Sequence, residues 1–172
     1  MTDDRPFLPY GRQHVDEDDV AAVAAVLRSD FLTTGPEVAR FEEAAAAATG
    51  AEFAVACNSG TAALHLAVMG LGLGPEDTAI VPAITFVATA NVAAHQGARV
   101  VFADVDPHTG LMTPDTLRDA IKRSNGRPKV ALPVHLAGRV CDMPGLRSVA
   151  DEHGIALVED ACHAIGGQYG NE

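Results

Sequence analysis

Three groups of residues in this chain have types and spacings suited to chemistry. The first is Ala54-Val55-Ala56-Cys57-Asn58-Ser59-Gly60-Thr61-Ala62-Ala63-Leu64-His65-Leu66, an apolar run, a polar turn and a helix opening at Gly60 or Thr61. The leading N–H groups of a helix have no intrahelical acceptor and lie at the positive end of its dipole, so a phosphate is held there without any Lys or Arg. Gly60 lets the backbone come close, Thr61 adds a hydroxyl, and Ala62 and Ala63 keep the first turn slim. Asn58 and Ser59 also suit a plain N-cap. The second group, Pro82-Ala83-Ile84-Thr85-Phe86, follows an apolar run and offers an aromatic face, although Phe86 also fits a core position. The third, Glu159-Asp160-Ala161-Cys162-His163, combines carboxylate, thiol and imidazole. Asp160 also suits the cap of a following helix. Cys162 and His163, adjacent in sequence, are poorly placed to work as a nucleophile and its base.

The elements around these groups alternate. Residues 16–28 carry Asp16 or Asp18 as a cap, acids in the first turn and Val20, Val23, Ala24 and Leu27 at helical spacing. Pro36 opens a second, alanine-rich helix through Phe41 to Thr49, closed by Gly50. Strands are expected at 53–57, 78–82, 100–102, 129–134 and 155–159, with helices at 61–69, 86–96, 113–122 and 144–153 between them. This is an α/β pattern of alternating strands and helices, which gives a mostly parallel sheet covered on both faces. Ligands in such sheets bind outside the carboxyl ends of the strands. Those ends carry the Asn58 to Thr61 turn, Phe86, His135 and the Glu159 to His163 segment. An anion cradle, an aromatic face and a carboxylate are what a phosphorylated heteroaromatic ring needs, and pyridoxal 5'-phosphate meets that description.

Composition narrows the partners. The 172 residues are 48% hydrophobic and 20% charged, with a formal net charge of −11. That acidity argues against nucleic acid and against an anionic membrane surface. No apolar run reaches membrane-spanning length, and Met1-Thr2-Asp3-Asp4-Arg5 lacks the basic and apolar regions of a signal peptide, so a cytoplasmic location is expected. Cys57, Cys141 and Cys162 are too scattered for a disulfide framework or a metal site and read as reduced thiols. Gly70-Leu71-Gly72-Leu73-Gly74 follows a helix rather than a strand and is no dinucleotide loop. His65 and His95 fall inside helices, where packing or surface roles are expected; His135 suits either a ligand or a satisfied loop histidine.

Taken together, six motifs resemble the front half of the DegT/StrS-type nucleotide-sugar aminotransferases, with a flavour from 132 to 167 similar to members acting on a 4-keto amino sugar in the pseudaminic-acid pathway. They are Phe31-Leu32-Thr33-Thr34-Gly35-Pro36, Asn58-Ser59-Gly60-Thr61-Ala62-Ala63-Leu64, Pro82-Ala83-Ile84-Thr85-Phe86-Val87-Ala88-Thr89-Ala90-Asn91, Asp104-Val105-Asp106-Pro107, Pro133-Val134-His135-Leu136-Ala137-Gly138 and Glu159-Asp160-Ala161-Cys162-His163-Ala164. The likeness begins at Tyr10. It implies the fold type I, or aspartate-aminotransferase, architecture, with an N-terminal helix and substrate-side loop at 1–35 and the large cofactor-binding domain at 36–172. It further implies that the backbone of Gly60, Thr61 and Ala62 holds the cofactor phosphate and that Phe86 stacks on the pyridine ring. Asp160 then pairs with the ring nitrogen and His163 stands near the phenolic oxygen, the two catalytic positions. Thr33 and Thr34 lie close to the sugar. The partners implied are a nucleotide-linked keto sugar, an amino-acid donor such as glutamate, and a second copy in a homodimer.

One departure matters most. The family's Schiff-base lysine lies downstream of the Glu-Asp motif, whereas the only lysines here are Lys122, in an expected helix, and Lys129, at the front of a strand. The expectation is therefore an incomplete large domain, truncated before that lysine and inactive alone. The competing expectation is a non-catalytic remnant or interaction domain.

Overall fold

The computed structural model describes residues 13–124 and 128–170; the stretch 1–5, Tyr10 and the terminal Glu172 lie outside them. The chain divides into two units, Met1–Val55 and Ala56–Glu172. In the first, helix α1 (Glu17–Leu27) starts with a reciprocal cap. The Asp16 carboxylate accepts from the N–H groups of Asp18 and Asp19 at 3.0 and 3.1 Å, and the Asp19 carboxylate accepts from the Asp16 N–H at 3.0 Å. Helix α2 (Pro36–Thr49) has Pro at its first turn, where no N–H is needed, and ends at Gly50 in the left-handed region (φ 70°). Neither helix has a buried residue.

The second unit runs α3 (Gly60–Gly70), β1 (Thr78–Pro82), α4 (Val87–His95), β2 (Arg99–Ala103), α5 (Pro114–Arg123), β3 (Val130–Ala131), α6 (Met143–His153) and β4 (Ala156–Leu157), with a 3-10 turn at Leu136–Gly138. The strands are all parallel in the order β2-β1-β3-β4. Side chains alternate across the sheet, as the pleat requires. Ile80, Val101 and Ala131 pack with Leu117 and Ala120 of α5 and Leu146 and Val149 of α6. Ala79, Val81, Val130 and Leu132 pack with Leu64 and Val68 of α3 and Val92 and Ala93 of α4. A sheet between two helical layers results, and its winding reverses beside β1, between β2 and β3 in chain order. Such a reversal opens a crevice at the strands' carboxyl ends.

Two expectations need correction. Residues 53–57 form no strand; Phe53 and Val55 are exposed. Strand structure is defined by a neighbour's hydrogen bonds, and among the described residues no ladder includes this segment. The strands expected at 129–134 and 155–159 shorten to two residues each because Pro133 has no N–H to donate for the next rung. The pairing resumes one step on, as a parallel bridge between Val134 and Asp160.

Candidate active site

At the carboxyl ends of the strands a cavity of about 280 Å³ is lined by Gly60, Thr61, Phe86, His135, Asp160 and His163, together with Leu64, Ala88, Val134, Leu136 and Cys162. Five expected site residues thus meet in one place. Gly60 and Thr61 are the first two residues of α3, where N–H groups lack intrahelical acceptors. Ala62 differs: its N–H donates to the Ser59 hydroxyl at 3.2 Å, and it does not line the cavity. The cap that starts the helix therefore takes the third donor expected for an anion. A Cβ on Gly60 would stand 2.5 Å from the Cys162 sulfur, so any larger residue there would require the Cys162 side chain to turn aside.

Phe86 is the N-cap residue of α4, is 68% exposed rather than core, and lines the cavity. Asp160 is 5% exposed, yet among the described residues no Lys, Arg or His forms an ion pair with it. Its Oδ2 accepts from the Thr89 hydroxyl at 2.7 Å and its Oδ1 from the Cys162 N–H at 3.3 Å. The main chain is fixed as well: Asp160 N–H donates to Pro133 O at 2.9 Å, and His135 N–H donates to Asp160 O at 3.1 Å. Among the described residues no helix follows Asp160, so it caps none of them. A buried carboxylate with hydroxyl and amide donors but no cation is a place prepared for a positive charge. The hydrogen bond to Asp160, with burial, pushes the Cys162 thiol up to about 11, so it stays protonated and is no nucleophile at neutral pH.

His135 is 4% exposed and both ring nitrogens are engaged. Nδ1 accepts from the Cys141 N–H at 3.2 Å, so the proton sits on Nε2, which donates to Glu159 Oε2 at 2.9 Å. The Cys141 side chain and the Glu159 carboxylate both favour the imidazolium, toward about 9. The geometry opposes them, because a second proton would displace the Cys141 N–H. The Cys141 thiol itself donates to the Val134 carbonyl at 3.3 Å and presents no negative charge, so only Glu159 draws the ring upward in earnest. In return His135 holds the Glu159 carboxyl below its usual range. His135 is thus a satisfied histidine that ties the loop after β3 to the loop after β4.

Thr33 and Thr34 belong to the first unit, where Thr34 has φ 52°, a left-handed conformation that strains a β-branched residue. His65 and His95 face each other on α3 and α4 with ring centroids 6.1 Å apart, and His65 Nε2 is 2.6 Å from Gln96 Nε2, a packing arrangement. Lys122 pairs with Asp119 on the surface of α5. Lys129 precedes β3, at the other end of the sheet, and pairs with Asp77. Among the described residues no cluster of His, Cys, Asp or Glu could hold a metal ion, and no helix is long and apolar enough to cross a membrane. Thr89 was not singled out from the sequence. The available signal was a hydroxyl four residues after Thr85 in an otherwise apolar helix, a spacing that stacks the two side chains.

An open, doubly wound α/β unit with a phosphate-type helix turn, an aromatic face and a buried carboxylate at its strand ends defines the class. Over residues 13–172 the chain matches the DegT/DnrJ/EryC1/StrS aminotransferase family, and it belongs to that family. Among solved structures it is similar to DesV of S. venezuelae in complex with a ketimine intermediate, at 41% identity and TM-score 0.81, over 86% of this chain and 39% of that one. The aminotransferase of Psychrobacter cryohalolentis is 35% identical with TM-score 0.86, over 95% and 41%. The PLP form of Spr1654 from Streptococcus pneumoniae is 34% identical with TM-score 0.85, over 92% and 44%. The chain spans about two fifths of the length of each of these structures.

Proposed function

We propose that this chain supplies the cofactor-binding half of a pyridoxal-phosphate-dependent aminotransferase that moves an amino group from an amino acid, glutamate by preference, to a keto sugar on a nucleotide carrier, in amino-sugar or cell-surface polysaccharide biosynthesis. The observation that carries this reading is the convergence of Gly60, Thr61, Phe86 and Asp160 on one cavity. The residues fit the group chemically. Gly60 and Thr61 would offer N–H donors at a helix start to the phosphate, Phe86 would supply an aromatic face for the ring, and Asp160 would supply a carboxylate for a protonated ring nitrogen. His163 lines the same cavity and would serve the phenolic oxygen. When bound, pyridoxal phosphate supplies the electron sink for cleavage of a carbon–hydrogen bond beside the amino nitrogen. The chain's own part is to hold the phosphate, orient the ring and stabilise the proton on its nitrogen.

Thr33 and Thr34 are assigned to the sugar side, and the working assembly is a homodimer in the cytoplasm. Neither lysine stands at the cavity, which supports a further reading: residues 1–172 alone bind the cofactor without turning over substrate, and the Schiff-base lysine is provided by sequence outside them. Equilibrium titration of the 172-residue protein with pyridoxal phosphate, followed by absorbance and by borohydride reduction with peptide mapping, tests both statements. Reversible binding with no label on Lys122 or Lys129 is expected. Stable labelling of either lysine would overturn the second reading, and absence of binding would overturn the first. In a longer chain carrying a reactive lysine, amino transfer from glutamate to a nucleotide-linked keto sugar is the expected activity; transfer only to keto acids would refute the sugar assignment.

A further inference from the structure

The Thr89 hydroxyl is completely buried and has a single proton, which it gives to Asp160 Oδ2 across 2.7 Å. The Thr85 hydroxyl lies 2.7 Å from the same Thr89 oxygen. Since the proton of Thr89 is committed to a carboxylate that only accepts, Thr85 is the donor in that second bond. A one-way chain of hydroxyls therefore runs from Thr85 through Thr89 to Asp160, joining residues 71 apart in sequence at its second link. Thr85 immediately precedes Phe86, the N-cap of α4. Phe86 and Asp160, both lining the cavity, are thus fastened to each other through the first turn of one helix.

From this geometry we infer that Thr89, held by Thr85, is a positioning residue that aims the Asp160 carboxylate at the nitrogen of a bound pyridine ring and keeps Phe86 in register with it. The inference rests on the pyridoxal-phosphate reading of the cavity. Charge-assisted bonds such as Thr89 to Asp160 are the stronger kind, shorter and more directional than neutral ones. With Oδ2 tied to Thr89, Oδ1 near the Cys162 N–H and the Cys162 thiol bonded to the same carboxylate, its plane has little freedom, and all of its partners are neutral donors. The other titratable groups lining that cavity are His135, Cys162 and His163. His135 spends its ring nitrogens on Glu159 and Cys141, and the Cys162 thiol is protonated at neutral pH, so neither supplies a competing cation to Asp160.

The test compares binding of pyridoxal phosphate with binding of its 1-deaza analogue, in which a carbon replaces the ring nitrogen, to the 172-residue protein and its variants. Thr89→Val removes the donor at nearly constant volume. It is expected to weaken pyridoxal phosphate about tenfold, the size of one hydrogen bond to a charged group, and to leave the deaza analogue unchanged. Thr89→Ser should restore the difference between the two ligands. Thr85→Val, at a half-buried position, should weaken pyridoxal phosphate by about threefold, again without touching the analogue. Equal weakening of both ligands by Thr89→Val, or none of either, overturns the positioning role while leaving the cofactor reading intact. Failure of the unsubstituted protein to bind pyridoxal phosphate at all overturns that reading and this inference with it. Should Thr89→Val not fold, Thr85→Val and Thr89→Ser decide the matter by the same comparison.

Discussion

The two ends of the parallel sheet treat a carboxylate in opposite ways. At the amino end, Asp77, just before β1, accepts from the Lys129 ammonium at 3.0 Å and from the Gly74 N–H at 2.9 Å, and Lys129 also donates to the Gly72 carbonyl at 2.6 Å. Acid, base and backbone answer one another, and the Lys129 hydrogen bond holds the Asp77 carboxyl below its usual range. At the carboxyl end, Asp160 is more deeply buried, receives only neutral donors, the Thr89 hydroxyl and the Cys162 amide and thiol, and has no cationic partner among the described residues. A protein that needed nothing from Asp160 would gain by replacing it with an apolar residue of similar size, since an uncompensated buried carboxylate costs free energy. The amino end is closed in on itself; the carboxyl end is left electrically incomplete, which is the condition of a binding site.

Substitutions at each end should separate these characters. The largest effect is expected from Asp160→Asn, measured in a chain that includes the reactive lysine. Turnover should fall about 10²- to 10³-fold, as on removal of one preorganised electrostatic partner, while the thermal melt of the cofactor-free protein stays level or rises. Near-normal turnover would make the two carboxylates alike and erase the contrast. Next comes Gly60→Ala, which places a methyl 2.5 Å from the Cys162 sulfur, forces that side chain off its bond to Asp160 and should destabilise by about 1 kcal/mol in urea unfolding. Cys162→Ala in the same chain should recover most of that loss; strict additivity would show that the close approach is not what Gly60 provides.

The smallest effect is expected at the amino end. Lys129→Met should lower the melting temperature slightly and leave cofactor binding untouched. Because the Asp77 pKa is depressed on folding, the ion pair stabilises above the ordinary value of 3.8, and this contribution is lost as pH falls through the depressed value. The melting difference between the two proteins should therefore be present at neutral pH and close in acid. A difference that survives acid would assign the effect to the bond from Lys129 to the Gly72 carbonyl.

Helices were legible wherever their signals are local. Asp16 or Asp18 as a cap, Pro36 with Gly50, and the helix expected at 113–122 mark ends that the structure places within a residue or two. The segment 53–57 was not legible, because apolar alternation says that a strand is possible while only a neighbour makes it one. In the site, the helix turn, Phe86 and Asp160 were readable from type and position after expected strands. The surrender of the Ala62 N–H to Ser59 is a competition between cap and ligand that composition cannot rank. Thr89 was harder still, since its partner is 71 residues away and nothing local distinguishes it from a threonine bonded back to its own helix.

The rung omitted at Pro133 has a consequence in time. With that amide missing, β3 and β4 stop pairing and then rejoin at Val134 and Asp160, where the N–H groups of Asp160 and His135 donate to Pro133 O and Asp160 O. Both residues are nearly inaccessible to solvent. Exchange of these two amides with deuterated water requires the strand ends to part, so they should persist as long as amides of the central strands, although one sits in what looks like a surface loop. The residue facing the cavity would then be among the slowest-breathing parts of the protein, its stillness arising from the backbone before any ligand arrives.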